Sequence, residues 1–256
     1  MSGRIKLLIC EDAKSTSSVV AQYFADAMVQ NPNIVLGLAT GGTPVPVYEK
    51  LVSKYRAGDL SFSEVTTFNL DEYVGLNPEH CQSYRYFMQE NLFDHVDISE
   101  KQTHVPDGVA EDLKSGCLHY EAAIDRAGGI DLQLLGIGEN GHIAFNEPGA
   151  SASSRTSVVD LTKETIAANS RFFEAIGDVP KTAVTMGIGT ILESKSIVLM
   201  ATGENKATAL ARALDSNPGP DSPASYLSQA RDVTFIIDRS ASQHLSDETL
   251  KKADCI

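Results

Sequence analysis

The chain has 256 residues, 42% of them hydrophobic and 21% charged, and 34 Asp and Glu against 21 Lys and Arg give a net charge of −13. That composition excludes a disordered, collagenous or coiled-coil chain, and the acidic field excludes one that gathers on nucleic acid or anionic membranes. The same field repels an anionic small molecule unless a local site reverses the sign.

Lys6–Cys10 reads as a strand. Val19, Val20, Tyr23, Phe24, Ala27 and Met28 recur at helical spacing and predict a helix over 13–30. Ile34–Ala39 is a nearly continuous apolar run, hence a buried strand. Thr40-Gly41-Gly42-Thr43-Pro44 follows it, and then Val47, Tyr48, Leu51, Val52 and Tyr55 at helical spacing. Val65–Leu70 is the next strand, ending in Asp71–Glu72. Tyr84–Asn91 and Leu113–Arg126 read as helices, Ile130–Ile137 as a buried strand, and Thr162–Phe173 as a polar helical stretch. Ala183–Met186 and Ser196–Ala201 are strands, Lys206–Leu214 a helix and Val233–Ile237 a last strand. The polar tail Ser240–Ile256 fits a docked helix as well as a frayed end.

Apolar runs without strict alternation, separated by helices, predict a parallel sheet covered on both faces. Asn217–Pro223 is too short to be a domain linker. The expected architecture is therefore α/β: a single domain over 1–256, with an open, mainly parallel, Rossmann-like sheet. No apolar run reaches the roughly 18–20 residues of a membrane span, and the start MSGRIKLLICEDAKS makes a poor signal peptide. Cys10, Cys81, Cys117 and Cys255 are scattered, as in a cytoplasmic protein with reduced thiols. His80–Cys81 and Cys117-Leu118-His119 lack a second spaced ligand pair, so no metal is expected.

Ligands of open α/β sheets bind beyond the carboxyl ends of the strands. Thr40, Gly41, Gly42 and Thr43 lie at one such end, where free N–H groups and a helix start favour an anion. Pro44 suits the first helical position. The plain alternative is a tight turn with Thr43 as a helix cap. Asp71 lies at the next end and can act as a general base, although a lone acid there more often solvates or caps. Gly136-Ile137-Gly138-Glu139-Asn140-Gly141 contains GxGxxG after a strand, and Asp160 stands near the place of an acidic ribose partner. A dinucleotide fingerprint must open a helix, and Pro148 leaves no room for one of useful length, so NAD is not expected. What remains is a long loop presenting His142 and Glu147, a pairing in which a carboxylate fixes an imidazole's tautomer. Arg171 and Lys206 are candidate anion ligands. Lys206 taken alone reads equally as a solvated surface lysine.

Together LATGGTP (38–44), NLDEYVGL (69–76), SYRYFM (83–88), GIGENGHIAFNEPG (136–149), SRTSVVDLT (154–162), ANSRFF (168–173), VTMGIGTIL (184–192) and TGENKA (202–207) resemble the glucosamine-6-phosphate deaminase family. The resemblance covers nearly the whole chain, and the family shares its fold with 6-phosphogluconolactonases and ribose-5-phosphate isomerases. It implies conversion of D-glucosamine 6-phosphate and water to D-fructose 6-phosphate and ammonium, in amino-sugar catabolism, without a cofactor. It implies that His142 opens the sugar ring with Glu147 and Asn140, and that Asp71 moves a proton between C2 and C1. Thr40, Gly41, Gly42, Thr43, Arg171 and Lys206 would hold the substrate and its phosphate. Residues 154–179 would form a mobile lid. Some members carry Asp where Asn140 stands; Asn orients a histidine without adding charge.

The basic residues of allosteric hexameric members are replaced by Ser157 and Val159. A monomer or small homo-oligomer is thus expected ahead of an allosteric hexamer, without activation by N-acetylglucosamine 6-phosphate. A galactosamine 6-phosphate deaminase and a 6-phosphogluconolactonase are alternatives on the same fold. Tyr73, where lactonases typically carry Arg, and Phe145-Asn146-Glu147-Pro148 disfavour the lactonase. A sugar-phosphate sensor that binds DNA would need a module this sequence lacks.

Overall fold

The computed structural model describes residues 4–256. β1 (Arg4–Cys10) leads into α1 (Ala13–Gln30) through Asp12, whose carboxylate accepts the Ser15 N–H at 2.7 Å while the Ser15 hydroxyl accepts the Asp12 N–H at 3.0 Å. This reciprocal capping starts the helix where the apolar spacing begins. Val20, Ala21, Phe24, Ala25 and Met28 form its buried stripe. β2 (Val35–Leu38) is buried at every position, as a strand covered on both faces must be. α2 (Val45–Arg56) starts later than Pro44 suggested: Pro44 takes the N-cap position, and Pro46, which has no N–H to leave unpaired, lies in the first turn.

The chain continues through β3 (Thr66–Asn69), β4 (Asp71–Tyr73), α3 (Tyr84–Asn91), β5 (Thr103–His104), α4 (Leu113–Arg126) and β6 (Leu132–Leu135). Then come β7 (Ser157–Asp160), α5 (Lys163–Asn169), β8 (Thr182–Thr185), α6 (Ile188–Leu192), β9 (Ser196–Ala201) and α7 (Ala207–Asp215). β10 (Asp232–Asp238), α8 (Asp247–Leu250) and β11 (Asp254–Cys255) complete it. Eight strands form one sheet in the order β11-β1-β10-β9-β6-β2-β3-β5, with every pairing parallel and helices flanking it. None of the described helices is long and apolar enough to cross a membrane.

The strand ends and the later part of the chain depart from the expected elements. Asp71 does not end β3 but opens β4, which pairs antiparallel with β8 in a separate sheet of order β4-β8-β7. Leu70 is the crossing point: its N–H donates to the Leu38 carbonyl at 3.2 Å and its own carbonyl accepts the Met186 N–H at 2.7 Å. Ala183–Met186 is therefore not a strand of the parallel sheet. The tail is docked rather than frayed, because β11 adds to β1 and the Ile256 N–H donates to the Ile9 carbonyl at 3.0 Å.

The segment 154–179 contains β7, α5 and two short 3₁₀ turns, so Thr162–Phe173 is one short helix followed by a tighter turn rather than one continuous helix. Leu161, Val159, Ile166 and Phe173 of this segment share a small second core with Tyr73, Tyr84 and Phe145. Its root is tied to α4. Glu121 accepts the Thr156 N–H at 2.8 Å, the Thr190 hydroxyl at 2.6 Å and the Arg155 guanidinium at 2.5 Å, besides the Thr156 hydroxyl.

Candidate active site

β9, β6, β2 and β3 are neighbours in the sheet, and each leads at its carboxyl end into one of the clusters singled out from sequence. Gly203–Lys206 follows β9, Gly136–Glu147 follows β6, Thr40–Thr43 follows β2 and Asp71 follows β3. Four segments far apart in the chain are thus brought to one edge, as the strand-end rule for open sheets requires.

Asp71 is only 6% exposed, and its Oδ1 has no hydrogen-bond partner among the described residues. Burial and the neighbouring Glu72 push its carboxyl up to about 8, and the Thr40 hydroxyl draws it back only in part. The neighbouring phenols do not relieve it. Tyr48 donates to the Ala39 carbonyl at 2.5 Å and Tyr120 to the Asn69 carbonyl at 2.5 Å, so both phenols stabilise strand ends instead. A carboxylate deprived of donors holds a proton well when given one. Glu72 is the opposite case: it accepts the N–H groups of Tyr73 at 2.8 Å, Tyr84 at 2.9 Å and Arg85 at 2.9 Å. It fixes the start of α3 while alternation along β4 sends it away from Asp71.

The loop after β6 is shaped around His142. The Gly138 N–H donates to the His142 carbonyl at 2.9 Å, and the imidazole lies directly over the Gly138 α-carbon, where a β-carbon would meet Cε1 at 2.2 Å and Nδ1 at 2.3 Å. His142 Nδ1 meets Asn140 Oδ1 at 2.8 Å and Glu147 Oε2 at 3.5 Å. Asn140 Nδ2 donates to the same Glu147 Oε2 at 2.7 Å, so the amide bridges the imidazole and the carboxylate. Burial alone would raise Glu147; hydrogen bonds from His142, Thr165 and Asn140, with the His142 charge, bring it down to about 2. Asn146, buried, clamps the loop by donating to the carbonyls of Met186 at 2.8 Å and Ile143 at 3.0 Å.

Gly41 has φ 92°, which glycine adopts without strain. Among the described residues the N–H groups of Gly41, Gly42 and Thr43 donate to nothing, and a β-carbon on either glycine would meet open space. That leaves three donors beside a helix start. Gly203, φ 90°, turns the chain after β9 while its N–H is held by both Asp238 carboxylate oxygens at 3.1 Å. Lys206 is half-buried; burial pushes its ammonium down, Glu139 opposes this and Arg171 adds to it. Arg171 is therefore close enough to be felt by Lys206, and its guanidinium sits 4.7 Å from the Phe172 ring. Two cations with no carboxylate salt bridge among the described residues suit a dianionic phosphate.

Sequence reasoning gave no role of their own to Glu72, Gly138 and Thr162, and did not single out Thr165. Thr165 donates to Glu147 Oε1, and the Thr162 hydroxyl lies 3.3 Å from the same oxygen. The helix-start spacing Thr162-x-x-Thr165 was the one available signal. No group of three or more His, Cys, Asp or Glu among the described residues is placed to hold a metal ion.

A parallel sheet with a buried carboxylate, a histidine–carboxylate pair and a donor-rich glycine turn at its strand ends has the α/β architecture of an enzyme and a site equipped for acid–base chemistry. Residues 11–236 match the family model of glucosamine-6-phosphate isomerases and 6-phosphogluconolactonases. The chain is 55% identical over 241 residues to a glucosamine-6-phosphate deaminase of Rhodopirellula baltica, covering 94% of this chain and 96% of that one. It is 49% identical over 247 residues to one of Clostridioides difficile, covering 96% and 99%. The solved structure of a monomeric glucosamine-6-phosphate deaminase superposes with a TM-score of 0.91 at 46% identity, covering 93% and 99%. A Trypanosoma cruzi 6-phosphogluconolactonase, at 21% identity and a TM-score of 0.79 over 96% and 98%, shares the fold. The chain belongs to the glucosamine-6-phosphate deaminase family.

Proposed function

We propose that the chain converts D-glucosamine 6-phosphate and water to D-fructose 6-phosphate and ammonium. The observation that carries this reading is a donor-poor buried Asp71 and a His142–Asn140–Glu147 cluster on adjacent strand ends, in a chain about half identical to deaminases over nearly its full length. His142 gives a proton to the ring oxygen, and the O1 proton leaves to form the aldehyde. Asp71 takes the C2 proton, made acidic by the neighbouring carbonyl, and returns it at C1. The C2–N bond is by then an imine; water adds to C2 and ammonia departs. Glu147, ionised at any working pH, stabilises the imidazolium formed when His142 is protonated. Phosphate contacts by Gly41, Gly42, Thr43, Arg171 and Lys206 supply binding energy remote from the reacting carbons. Thr40, whose hydroxyl bears on Asp71 and on Tyr84, serves the base more than the phosphate. We place the protein in the cytoplasm as a monomer or small homo-oligomer, its lid spanning about 154–179.

Incubation with glucosamine 6-phosphate releases ammonium and fructose 6-phosphate in equal amounts; no ammonium from any amino-sugar phosphate rejects the reading. Lys206→Met raises KM roughly tenfold or more, the loss of a charge-assisted contact. Lys252→Met, which removes a lysine whose side chain is 70% exposed, leaves KM unchanged. Equal KM values for the two variants would remove Lys206 from the phosphate site.

A further inference from the structure

Glu147 has two oxygens, and different parts of the chain hold them. Oε2 is taken by Asn140 at 2.7 Å and lies 3.5 Å from His142 Nδ1, both on its own loop. Among the described residues Oε1 is reached only from the 154–179 segment, by the hydroxyls of Thr165 and, at 3.3 Å, Thr162. The two threonines are joined: the Thr162 hydroxyl lies 3.1 Å from that of Thr165 and accepts the Thr165 N–H at 3.2 Å. The cap of α5 is complete through that N–H contact, so the helix start has no need of the Thr165 hydroxyl. Thr165 is nevertheless buried, 5% exposed, and its one proton goes to Glu147. The terminal torsion of a glutamate is broad. A carboxylate tethered at one oxygen can rotate; tethered at both, it cannot.

We infer that Thr165, backed by Thr162, is a positioning residue for the His142–Glu147 pair: its hydroxyl fixes Oε1 so that Oε2 stays on Asn140 and His142. The inference rests on the acid–base role proposed above for that pair. It makes ring opening depend on seating of the segment. Leu161, Ile166 and Phe173 seat it on Tyr73 and Phe145, with Phe173 edge-on to Tyr73 at 5.8 Å. Placing α5 on that cluster is what carries Thr165 to Glu147.

The test compares Thr165→Val, which keeps shape and removes the hydroxyl, with Thr165→Ser, which keeps the hydroxyl. Two quantities are read: kcat on glucosamine 6-phosphate, and Ki for its reduced open-chain amino-alditol 6-phosphate, which has no ring to open. Thr165→Val lowers kcat about tenfold, the scale of one hydrogen bond to a charged group, with Ki within twofold of wild type. Thr165→Ser restores kcat to within about threefold. Unchanged kcat in the valine variant overturns the inference. So does a rise in Ki matching the fall in kcat, or a serine variant as impaired as valine, since both mark a merely structural role. Should the valine variant not fold, Thr165→Ala is judged by the same criteria. Glu147→Gln separates the two levels: if it costs nothing, the acid–base reading fails; if it is impaired while Thr165→Val is not, the Thr165 inference alone fails.

Discussion

Asp71→Asn lowers kcat roughly a thousandfold, within the range a general base contributes, while Ki for the open-chain amino-alditol 6-phosphate barely moves. The amide fills the same space and cannot take a proton from C2. Exchange of the C2 proton with solvent deuterium is lost in parallel; persistent exchange would remove Asp71 from the proton transfer. The wild-type base must be ionised to act. Its carboxyl lies near 8 in the free protein, so kcat/KM rises with pH along a limb centred there, and the asparagine variant loses that limb.

The same substitution stabilises the fold at neutral pH and above. Unfolded, Asp71 titrates near the ordinary ~3.9 of an aspartate; folded, it does so at about 8. Below pH ~4 the group is neutral in both states. Between these values the unfolded chain releases a proton that the folded chain retains, so stability falls as pH rises and levels off above the folded pKa. The loss across that window is on the order of 5 kcal/mol. An asparagine with an imperfectly paired amide forfeits roughly 1–3 kcal/mol of that. Urea midpoints for variant and wild type therefore diverge from pH 4 to pH 8 in favour of the variant. A gap that stays constant across that range would show that Asp71 is not held neutral by its surroundings. A gain in stability with loss of turnover is the mark of a group buried for chemistry.

The long elements were legible because their physics is local. The spacing of Val20, Phe24 and Met28 and the Asp12 cap together define α1 over Ala13–Gln30, and Leu113–Arg126 is helical over its whole expected length. β2 shows itself as an unbroken apolar run. The small antiparallel sheet shows nothing of the kind. β4 is Asp-Glu-Tyr and β7, Ser-Val-Val-Asp, is mostly exposed, and neither is long enough to set a period. Their pairing with β8 depends on segments about 110 and 25 residues away meeting in space. The site divides in the same way. Asn140, His142 and Glu147 lie within one loop and are visible together, whereas Thr165 reaches Glu147 only because a second core seats α5. Lys206 on its own is an unremarkable lysine; what sets it apart is three-dimensional, its half-burial and the charge of Arg171, which it feels from across the chain.

Gly138→Ala lowers kcat about a hundredfold with little change in melting temperature. The backbone tolerates the methyl group, because Gly138 is not among the glycines with positive φ. The obstacle is the imidazole, whose Cε1, Nδ1 and Nε2 would stand 2.2, 2.3 and 2.5 Å from the new β-carbon. A side chain that is only 24% exposed but hinged at χ1 can swing clear more cheaply than backbone can shift. Swinging clear breaks the 2.8 Å contact with Asn140 and separates the imidazole from Glu147. Displacement by about 1 Å is enough to cost two orders of magnitude in a reaction that depends on placed groups. A double-mutant cycle isolates the cause. On a His142→Gln background the flexible amide can yield, and Gly138→Ala should cost less than threefold. If the hundredfold penalty survives on that background, the glycine acts on the loop as a whole and not through His142.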